Sequence, residues 1–297
     1  MGRGLQEPPI EEQVLDSARR KAMAGANELQ MNDYENIAGE IRRDVLNMIY
    51  RAKAPHIGSS FSIVELLVAL YFRCLSVSPD RPQDENRDIF ILSKGHGCPA
   101  LYSTLAHRGF FSPSVLNGFG VDGGTLELHP TRDVEAGIEV STGSLGHGLS
   151  IGAGMALAAK YDRSKRKAFA LLSDGELNEG SVWEAALFAA HHKLDNLIAI
   201  VDYNKIQALG KTQEVVSLEP LAGKWRSFGW EVEEIDGHNF EQIISTLERV
   251  PFQQQKPSAI VAHTVKGKGV SFMENELLWH YRCPDEAEYR RALQELS

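Results

Sequence analysis

The sequence predicts an α/β fold, with a mostly parallel sheet sandwiched between helices. Two observations carry this prediction. Most of the predicted strands are almost continuously apolar, which is typical of parallel strands buried on both faces. Helical segments alternate with these strands, as they do in sheets built through helical crossovers. The strand segments are DIFILSKGHG (88–97), KAFALLSDG (167–175), NLIAIVDYNK (196–205), WEVEEIDG (230–237) and SAIVAHTVKG (258–267).

The predicted helices differ in what they bury. Residues 33–53 carry apolar side chains near helical spacing, and residues 62–72 (SIVELLVALYF) are almost entirely apolar. Small side chains at 150–159 predict a helix that packs closely against its surroundings. A further helix is predicted over VWEAALFAAHHKL, residues 182–194.

The chain is predicted to form one domain, residues 31–297, preceded by an amphipathic helical arm over residues 1–30. No internal repeat, low-complexity tract or Pro/Ser-rich linker divides the sequence. Its 297 residues, 43% of them hydrophobic, are enough for a sizeable core.

Charge and cysteine usage limit the possible partners and compartment. The net charge of −9 argues against nucleic acid or an anionic membrane as the main partner. Three cysteines without disulfide-like or zinc-binding spacing suit a reducing compartment. The start has no signal-peptide pattern, and apolar stretches such as LSIGAGMALAA are too short to cross a bilayer. We therefore expect a cytoplasmic protein with no nucleic-acid or membrane partner.

Polar side chains end two consecutive predicted strands. Asp174 and Gly175 end one strand segment, Asn204 ends the next, and a helix of crossover length lies between them. Carboxylate and amide oxygens are ligands that suit Mg²⁺, and the carbonyl of Ile206 would be a third. Gly175 would let backbone amides approach a phosphate. A diphosphate held through a metal is thus predicted, although acidic residues also occur at helix starts merely to complement the helix dipole.

Eight ordered motifs resemble the N-terminal part of transketolase, especially the transketolases that are split into two subunits. The resemblance covers roughly residues 35–290, and SDG followed by Asn204 is similar to the thiamine diphosphate signature of this family. A lone SDG with a distant asparagine would be a weak signal, so the identification depends on the whole set. The motifs are PHIGSS, LSKGHG, STGSLGHGLS, SDGELNEG, VDYNKIQ, EPLAGKW, GWEVEEIDGH and TVKGKGVSFMEN.

The resemblance implies a cofactor site for thiamine diphosphate and Mg²⁺, or Ca²⁺ or Mn²⁺ in its place. Asp174, Asn204 and the carbonyl of Ile206 would hold the metal. Gly175 and His96 would contact the diphosphate. The ring region of the cofactor would be lined by Gly143 and Leu145.

The resemblance also implies catalytic residues. Three histidines would surround the thiazolium and the substrate, where a pKa near neutrality suits proton transfer: His56, His129 and His280. Glu179 would belong to an acidic network that links two active sites of the assembly.

The family's pyrimidine-binding domain, which supplies the glutamate that activates the cofactor, has no counterpart in this sequence. The resemblance therefore implies half of an enzyme of carbohydrate metabolism. This half would transfer a two-carbon ketol unit from a ketose or ketose phosphate to an aldose. It would need a partner chain carrying the pyrimidine-binding and C-terminal domains, and the two chains would form a heterotetramer.

Three positions depart from the family pattern: Ser173 stands for a glycine, His147 for a glutamine and Pro55 for a glycine. The changes at His147 and Pro55 leave the substrate open. One alternative is another thiamine diphosphate enzyme, acting on a 2-oxo acid or an unusual sugar in specialised metabolism. The other is a non-catalytic subunit that kept the fold.

Overall fold

A computed structural model describes residues 29–297. The predicted arm over residues 1–30 lies outside the described part except for its last two residues, and it stays a prediction. The first described helix begins directly after Gln30, whose backbone amide donates to the Asp33 carboxylate (2.8 Å).

The centre of the structure is a five-stranded parallel sheet, as the sequence predicts. Its strands lie in the order β1-β2-β3-β7-β6, and every neighbouring pair is parallel. A two-stranded antiparallel hairpin, β4 and β5, follows β3. The strands are β1 (Ile89–Leu92), β2 (Ala168–Ser173), β3 (Leu197–Tyr203), β4 (Ile206–Gln207), β5 (Gly210–Lys211), β6 (Glu231–Asp236) and β7 (Ser258–His263).

Helices cover both faces of this sheet, and the segments predicted as helical after residue 30 are helical. They are α1 (Met31–Ala52), α2 (Ile57–Phe61), α3 (Val64–Ala69), α4 (Cys98–Arg108), α5 (Gly148–Tyr161), α6 (Gly180–His191), α7 (Thr212–Val215), α8 (Leu221–Ser227), α9 (Phe240–Glu248) and α10 (Glu286–Glu295). Short 3₁₀ turns at Gly95–Gly97, Gly175–Asn178 and Leu277–His280 lie near strand ends or in loops.

The helix predicted over 62–72 is present as α3 and the π-helical turn that follows it directly, two residues later than predicted at each end. The chain forms α2, then α3, and then a π-helical turn at Leu70–Cys74. The carbonyl of Ser59 accepts hydrogen bonds from the Ser62 hydroxyl (3.1 Å) and from Lys94 Nζ (3.0 Å). Because side chains occupy this carbonyl, the helical hydrogen-bond ladder is interrupted between α2 and α3.

The two faces of the sheet are packed with different residues. In β1, Phe90 and Leu92 join the core formed with α1, α3, α4 and α9, whereas Ile89 and Ile91 join the core formed with α5, α6 and α8. The second core is rich in alanine. A Cβ on Gly152 of α5 would lie 3.3 Å from a methyl carbon of Leu197 in β3, so small side chains bring this helix close to the sheet.

The segment Ile57–Cys74 is long and apolar enough to cross a membrane by composition alone, but 89% of it is buried inside the structure. Such burial is expected for core helices, which can also be long and apolar enough to meet this criterion. The cytoplasmic location stays a prediction.

A buried ion pair connects α1, α3 and the loop that follows β7. Arg42 Nη2 lies 2.7 Å from Glu65 Oε1, and Arg42 Nε donates to the carbonyl of Lys268 (2.9 Å). His238 Nδ1 lies 3.0 Å from the other oxygen of Glu65, and His238 Nε2 accepts from the amide of Val265 (2.8 Å). These contacts fix the loop after β7, which carries a buried lysine described below.

Replacing Glu65 with glutamine is expected to lower the free energy of unfolding by about 3–5 kcal/mol, because Arg42 then becomes an uncompensated buried charge. Burial raises the pKa of Glu65, but Arg42 and His238 offset this and hold the pKa below its ordinary value of 4.5. The stabilisation is therefore present at neutral pH and is lost only as the pH falls below that value.

Urea unfolding monitored by tryptophan fluorescence measures this loss. Glu233→Gln is the matched control, since its partner Arg249 has a side chain that is 56% exposed and the pair contributes less than about 1 kcal/mol. Equal, small losses in both variants would contradict a structural role for the buried pair.

Candidate functional site

Parallel pairing of β2 with β3 brings two of the predicted ligands to one sheet edge. Ser173 at the end of β2 pairs with Asp202 of β3, and the amide of Asp174 donates to the carbonyl of Asp202 (3.2 Å). Asp174 and Asn204 are both buried and both border a cavity of about 250 Å³. As expected for such sheets, the cavity lies at the carboxyl ends of the strands.

Ten of the eleven predicted site residues line this one cavity. They are His56, His96, His129, Gly143, Leu145, Asp174, Gly175, Asn204, Ile206 and His280. Glu179 does not line it and lies exposed at the start of α6, beside Gly146. The role of Glu179 between two active sites stays a prediction.

Three residues that could each offer a metal a different kind of oxygen ligand border the cavity. The carboxylate of Asp174 accepts from the amides of Gly175 (2.7 Å) and Lys205 (2.6 Å). The Asn204 side-chain oxygen accepts from the amide of Ile206 (3.1 Å), and Ile206 itself also borders the cavity. A carboxylate, an amide oxygen and a main-chain carbonyl form a hard ligand set, which fits a divalent cation such as Mg²⁺.

Burial and the charge of Asp202 raise the pKa of Asp174 to about 6. The carboxylate therefore carries its charge at neutral pH but at an electrostatic cost, which a bound cation would relieve.

Two glycines leave room where a side chain would fill the cavity wall. A Cβ on Gly175 would lie 2.8 Å from Cβ of Gln207, and a Cβ on Gly143 would lie 3.1 Å from the ring of His129. Gly143 also has φ +157, at the limit of the region that disfavours side chains. A side chain at either position would therefore force its neighbour to shift.

Four histidine rings cluster along the cavity. The ring centroid of His56 lies 5.0 Å from that of His96, 5.2 Å from that of His280 and 6.4 Å from that of His129. His56 has φ 74, a left-handed conformation that is uncommon for a residue with a side chain, and its amide donates to the carbonyl of His280 (3.1 Å).

The expected near-neutral pKa is wrong for two of the three predicted catalytic histidines. Burial, with the nearby His129 and Lys266, lowers the pKa of His56 to about 4. Burial and Lys266 lower the pKa of His280 to about 3. Both rings are therefore neutral at physiological pH and offer one donor and one acceptor each. Burial also lowers the pKa of His96.

The sequence interpretation missed two buried lysines beside the cavity. Lys266 Nζ lies 3.0 Å from the carbonyl of Ile206 and 2.9 Å from His280 Nδ1, and burial with the charge of Lys94 lowers its pKa to about 8. Lys94 Nζ lies 2.6 Å from Asp202 Oδ2. Both lysines occur in the quoted motifs LSKGHG and TVKGKG, but nothing in the sequence distinguishes them from surface lysines.

A buried carboxylate braces the glycine-rich loop that carries Gly143. Glu176 accepts from the amides of Gly146 (2.9 Å) and Ser173 (3.1 Å) and from the hydroxyl of Ser93. The hydroxyl of Ser173 accepts from the amide of Glu176 (3.3 Å). Serine in place of the family's glycine therefore caps the turn. His147 lies exposed at the start of α5 and does not line the cavity.

Residues 34–295 match the family described as "Transketolase, thiamine diphosphate binding domain". This chain belongs to the transketolase family. This match confirms the family and the thiamine diphosphate-binding fold that were predicted from the sequence. Members of the family are thiamine diphosphate-dependent transferases.

Two curated relatives match this transketolase chain over almost their whole length, and both are named as transketolase subunits. The one from Phocaeicola vulgatus belongs to an apulose-4-phosphate transketolase and is 45% identical over 91% of this chain and 95% of its own length. The other belongs to a 6-deoxy-6-sulfo-D-fructose transketolase of a Clostridium species and is 45% identical over 90% of this chain and 98% of its own length. The predicted correspondence to one half of a split transketolase agrees with these relatives.

A solved transketolase from Campylobacter jejuni has the same fold. It superposes with a TM-score of 0.84 and 29% sequence identity over 90% of this chain, which spans only 43% of the solved chain. This transketolase chain therefore corresponds to less than half of that enzyme.

The loop that carries His129 is held by a tyrosine hydroxyl, and its removal is expected to loosen that loop. The Tyr102 hydroxyl lies 3.0 Å from the carbonyl of Glu127 and 3.2 Å from that of His129. Tyr102→Phe should cost about 1 kcal/mol of unfolding free energy and accelerate amide hydrogen exchange in residues 126–129 several-fold.

Tyr289→Phe serves as the control, because its hydroxyl donates to Asn47 Oδ1 (2.7 Å) away from the cavity. It should cost a similar free energy without changing exchange in residues 126–129. Unchanged exchange in both variants would show that Tyr102 does not restrain the loop.

Proposed function

We propose that this chain is the diphosphate-binding subunit of a two-subunit, thiamine diphosphate-dependent transketolase. The observation that carries the proposal is the convergence of ten family-matching residues on one cavity at the carboxyl edge of the sheet. The reaction would transfer a two-carbon ketol unit from a ketose donor to an aldose acceptor.

The cavity residues divide the binding of the cofactor between them. Asp174, Asn204 and the carbonyl of Ile206 would hold Mg²⁺, with Ca²⁺ or Mn²⁺ as substitutes. Gly175 and His96 would contact the diphosphate, while Gly143 and Leu145 would border the rings. When bound, thiamine diphosphate supplies the electron sink for cleaving the carbon–carbon bond.

The positive charges of two buried lysines would favour the binding of an anionic ligand, although the net charge of the chain is −9. Lys266 borders the cavity and Lys94 lies immediately behind it. A diphosphate would offset the repulsion between these charges, because Lys94 is among the causes of the lowered pKa of Lys266. We therefore assign Lys266 a diphosphate contact beside the metal.

His56 and His280 would act on the substrate as neutral groups. His56, His129 and His280 would donate hydrogen bonds to, or accept them from, the hydroxyl and carbonyl oxygens of the sugar. Since burial keeps His56 and His280 uncharged, they would orient these oxygens through hydrogen bonds.

A partner chain would complete the active site. By the family resemblance, the glutamate that activates the aminopyrimidine ring belongs to the pyrimidine-binding domain, and relatives named as transketolase subunits support its supply by a separate chain. We propose that the partner supplies the pyrimidine-binding and C-terminal domains and that the two chains form a heterotetramer in the cytoplasm.

We further propose that the substrate is a sugar with an anionic terminal group. The named substrates of two relatives carry a phosphate and a sulfonate, respectively. No arginine lines the cavity in the described part of the chain, so the partner would recognise that anion.

Purification of the tagged full chain with thiamine diphosphate and Mg²⁺ tests the assembly. A stoichiometric partner should be captured, and the pair should exchange two-carbon units between ketose and aldose phosphates. Release of carbon dioxide from pyruvate-like donors, or ketol transfer by the chain alone, would refute the proposal.

Asp174→Asn should weaken cation-dependent cofactor binding by at least about 100-fold, since even changes outside the ligand shell cost roughly 10–100-fold. Isothermal titration with thiamine diphosphate and Mg²⁺ measures this. Asp162→Asn removes the same charge from a side chain that is 69% exposed and should bind normally. Equal affinities in the two variants would rule out Asp174 as the ligand.

Cation binding is also expected to depend on pH. Because the pKa of Asp174 is raised to about 6, protons compete with the cation below that pH. Mn²⁺ affinity, measured by electron paramagnetic resonance with thiamine diphosphate present, should be nearly constant from pH 7 to 8 and fall by about tenfold per unit below pH 6. Constant affinity down to pH 5 would contradict this role.

A further inference from the structure

We propose that Asp202 is a positioning residue that fixes the Asn204 amide with its oxygen directed to the bound cation. This inference rests on the proposed function, because it assigns the cation to the same cavity. It concerns a side chain that does not line the cavity and matches none of the predicted site residues.

Asp202 lies at the centre of a buried hydrogen-bond network. Its side chain is fully buried near the end of β3, two residues before Asn204. Oδ2 accepts from Lys94 Nζ (2.6 Å), the Ser62 hydroxyl (2.8 Å) and Asn204 Nδ2 (3.0 Å). Oδ1 accepts from the hydroxyl of Thr264. Segments from α2–α3, β1, β3 and β7 therefore meet at one carboxylate.

An ionised carboxylate can only accept hydrogen bonds. The group that Asn204 presents to Asp202 must therefore be its NH₂, and its oxygen must face the other way. On that other side the Asn204 oxygen accepts from the amide of Ile206 (3.1 Å), a group that can only donate. Both contacts specify the same orientation of an amide whose two ends are otherwise nearly equal in size.

This orientation decides whether Asn204 can bind a cation. Turned by 180°, the amide would present its NH₂ to the metal, and a hydrogen-bond donor repels a cation. In that orientation the Asn204 oxygen would face the Asp202 carboxylate, so two acceptors would meet. The Asn204 NH₂ would face the amide of Ile206, so two donors would meet. The cost of leaving such buried groups unpaired keeps the productive orientation populated before the cation arrives.

Lys94 keeps Asp202 in the form that this arrangement requires. Its ammonium is completely buried and donates to Asp202 and to the carbonyl of Ser59. The Ser62 and Thr264 hydroxyls donate to the same carboxylate. An ammonium and two hydroxyl donors around Asp202 fit an ionised carboxylate, which can only accept.

The test is Mn²⁺ binding by the full chain in the presence of thiamine diphosphate, measured by electron paramagnetic resonance. Asp202→Leu keeps the approximate volume of the side chain but removes both oxygens that accept hydrogen bonds, so Asn204 loses the acceptor that fixes its NH₂. It is expected to weaken Mn²⁺ binding by about 10–100-fold, the range found for residues that orient metal ligands. Ser62→Ala removes another hydrogen bond to the same oxygen without touching Asn204 and should bind within about twofold of the wild type.

Asp202→Leu leaves Lys94 as an unpaired buried charge, so the double variant Lys94→Met with Asp202→Leu, which replaces the ion pair by apolar side chains of similar volume, keeps the test valid if the single variant does not fold. The same loss of affinity is expected. Wild-type affinity in the folded variant, or an equal loss in Ser62→Ala, would overturn the positioning role. Failure of the wild-type chain to bind Mn²⁺ would overturn the proposed cofactor site, and this inference with it.

Discussion

The parallel pairing of β2 with β3 is the constraint on which the rest of this structure depends. The register sets Ser173 beside Asp202, so the residues that follow each strand emerge at one edge. The strand ends themselves place Asp174 and Asn204 at this edge, so no flexible loop has to bring them together. This register positions the helices on the two faces, the glycine turn at Gly175 and the cluster of four histidines. A slip of one residue would exchange the inward and outward faces of a strand.

Sequence reasoning predicted the sheet and the cavity well because both depend on local patterns. Apolar strands followed at once by polar residues identify strand ends, and ordered motifs place ten residues on one cavity. The buried lysines were not predictable in the same way. Lys94 and Lys266 look like ordinary solvated lysines, and their burial depends on Asp202 and on carbonyls contributed by distant segments. The interruption between α2 and α3 was unpredictable for the same reason, since it depends on the hydrogen bond from Lys94 to the carbonyl of Ser59.

The protonation states of the histidines also depend on the tertiary structure. A single histidine in a sequence suggests a pKa near neutrality, whereas burial beside Lys94 and Lys266 lowers the pKa of His56, His96 and His280. The buried positive charge beside the cavity is therefore carried by lysine, and the rings of His56 and His280 are neutral.

His56 shows what this arrangement costs the fold. Its left-handed backbone, φ 74, disfavours a side chain by roughly 1 kcal/mol relative to glycine. A glycine at this position would relax the backbone but remove the ring that contacts three other histidines. The cavity therefore keeps a ring at a position where the backbone alone would favour glycine, and a chain optimised for stability alone would not keep histidine there.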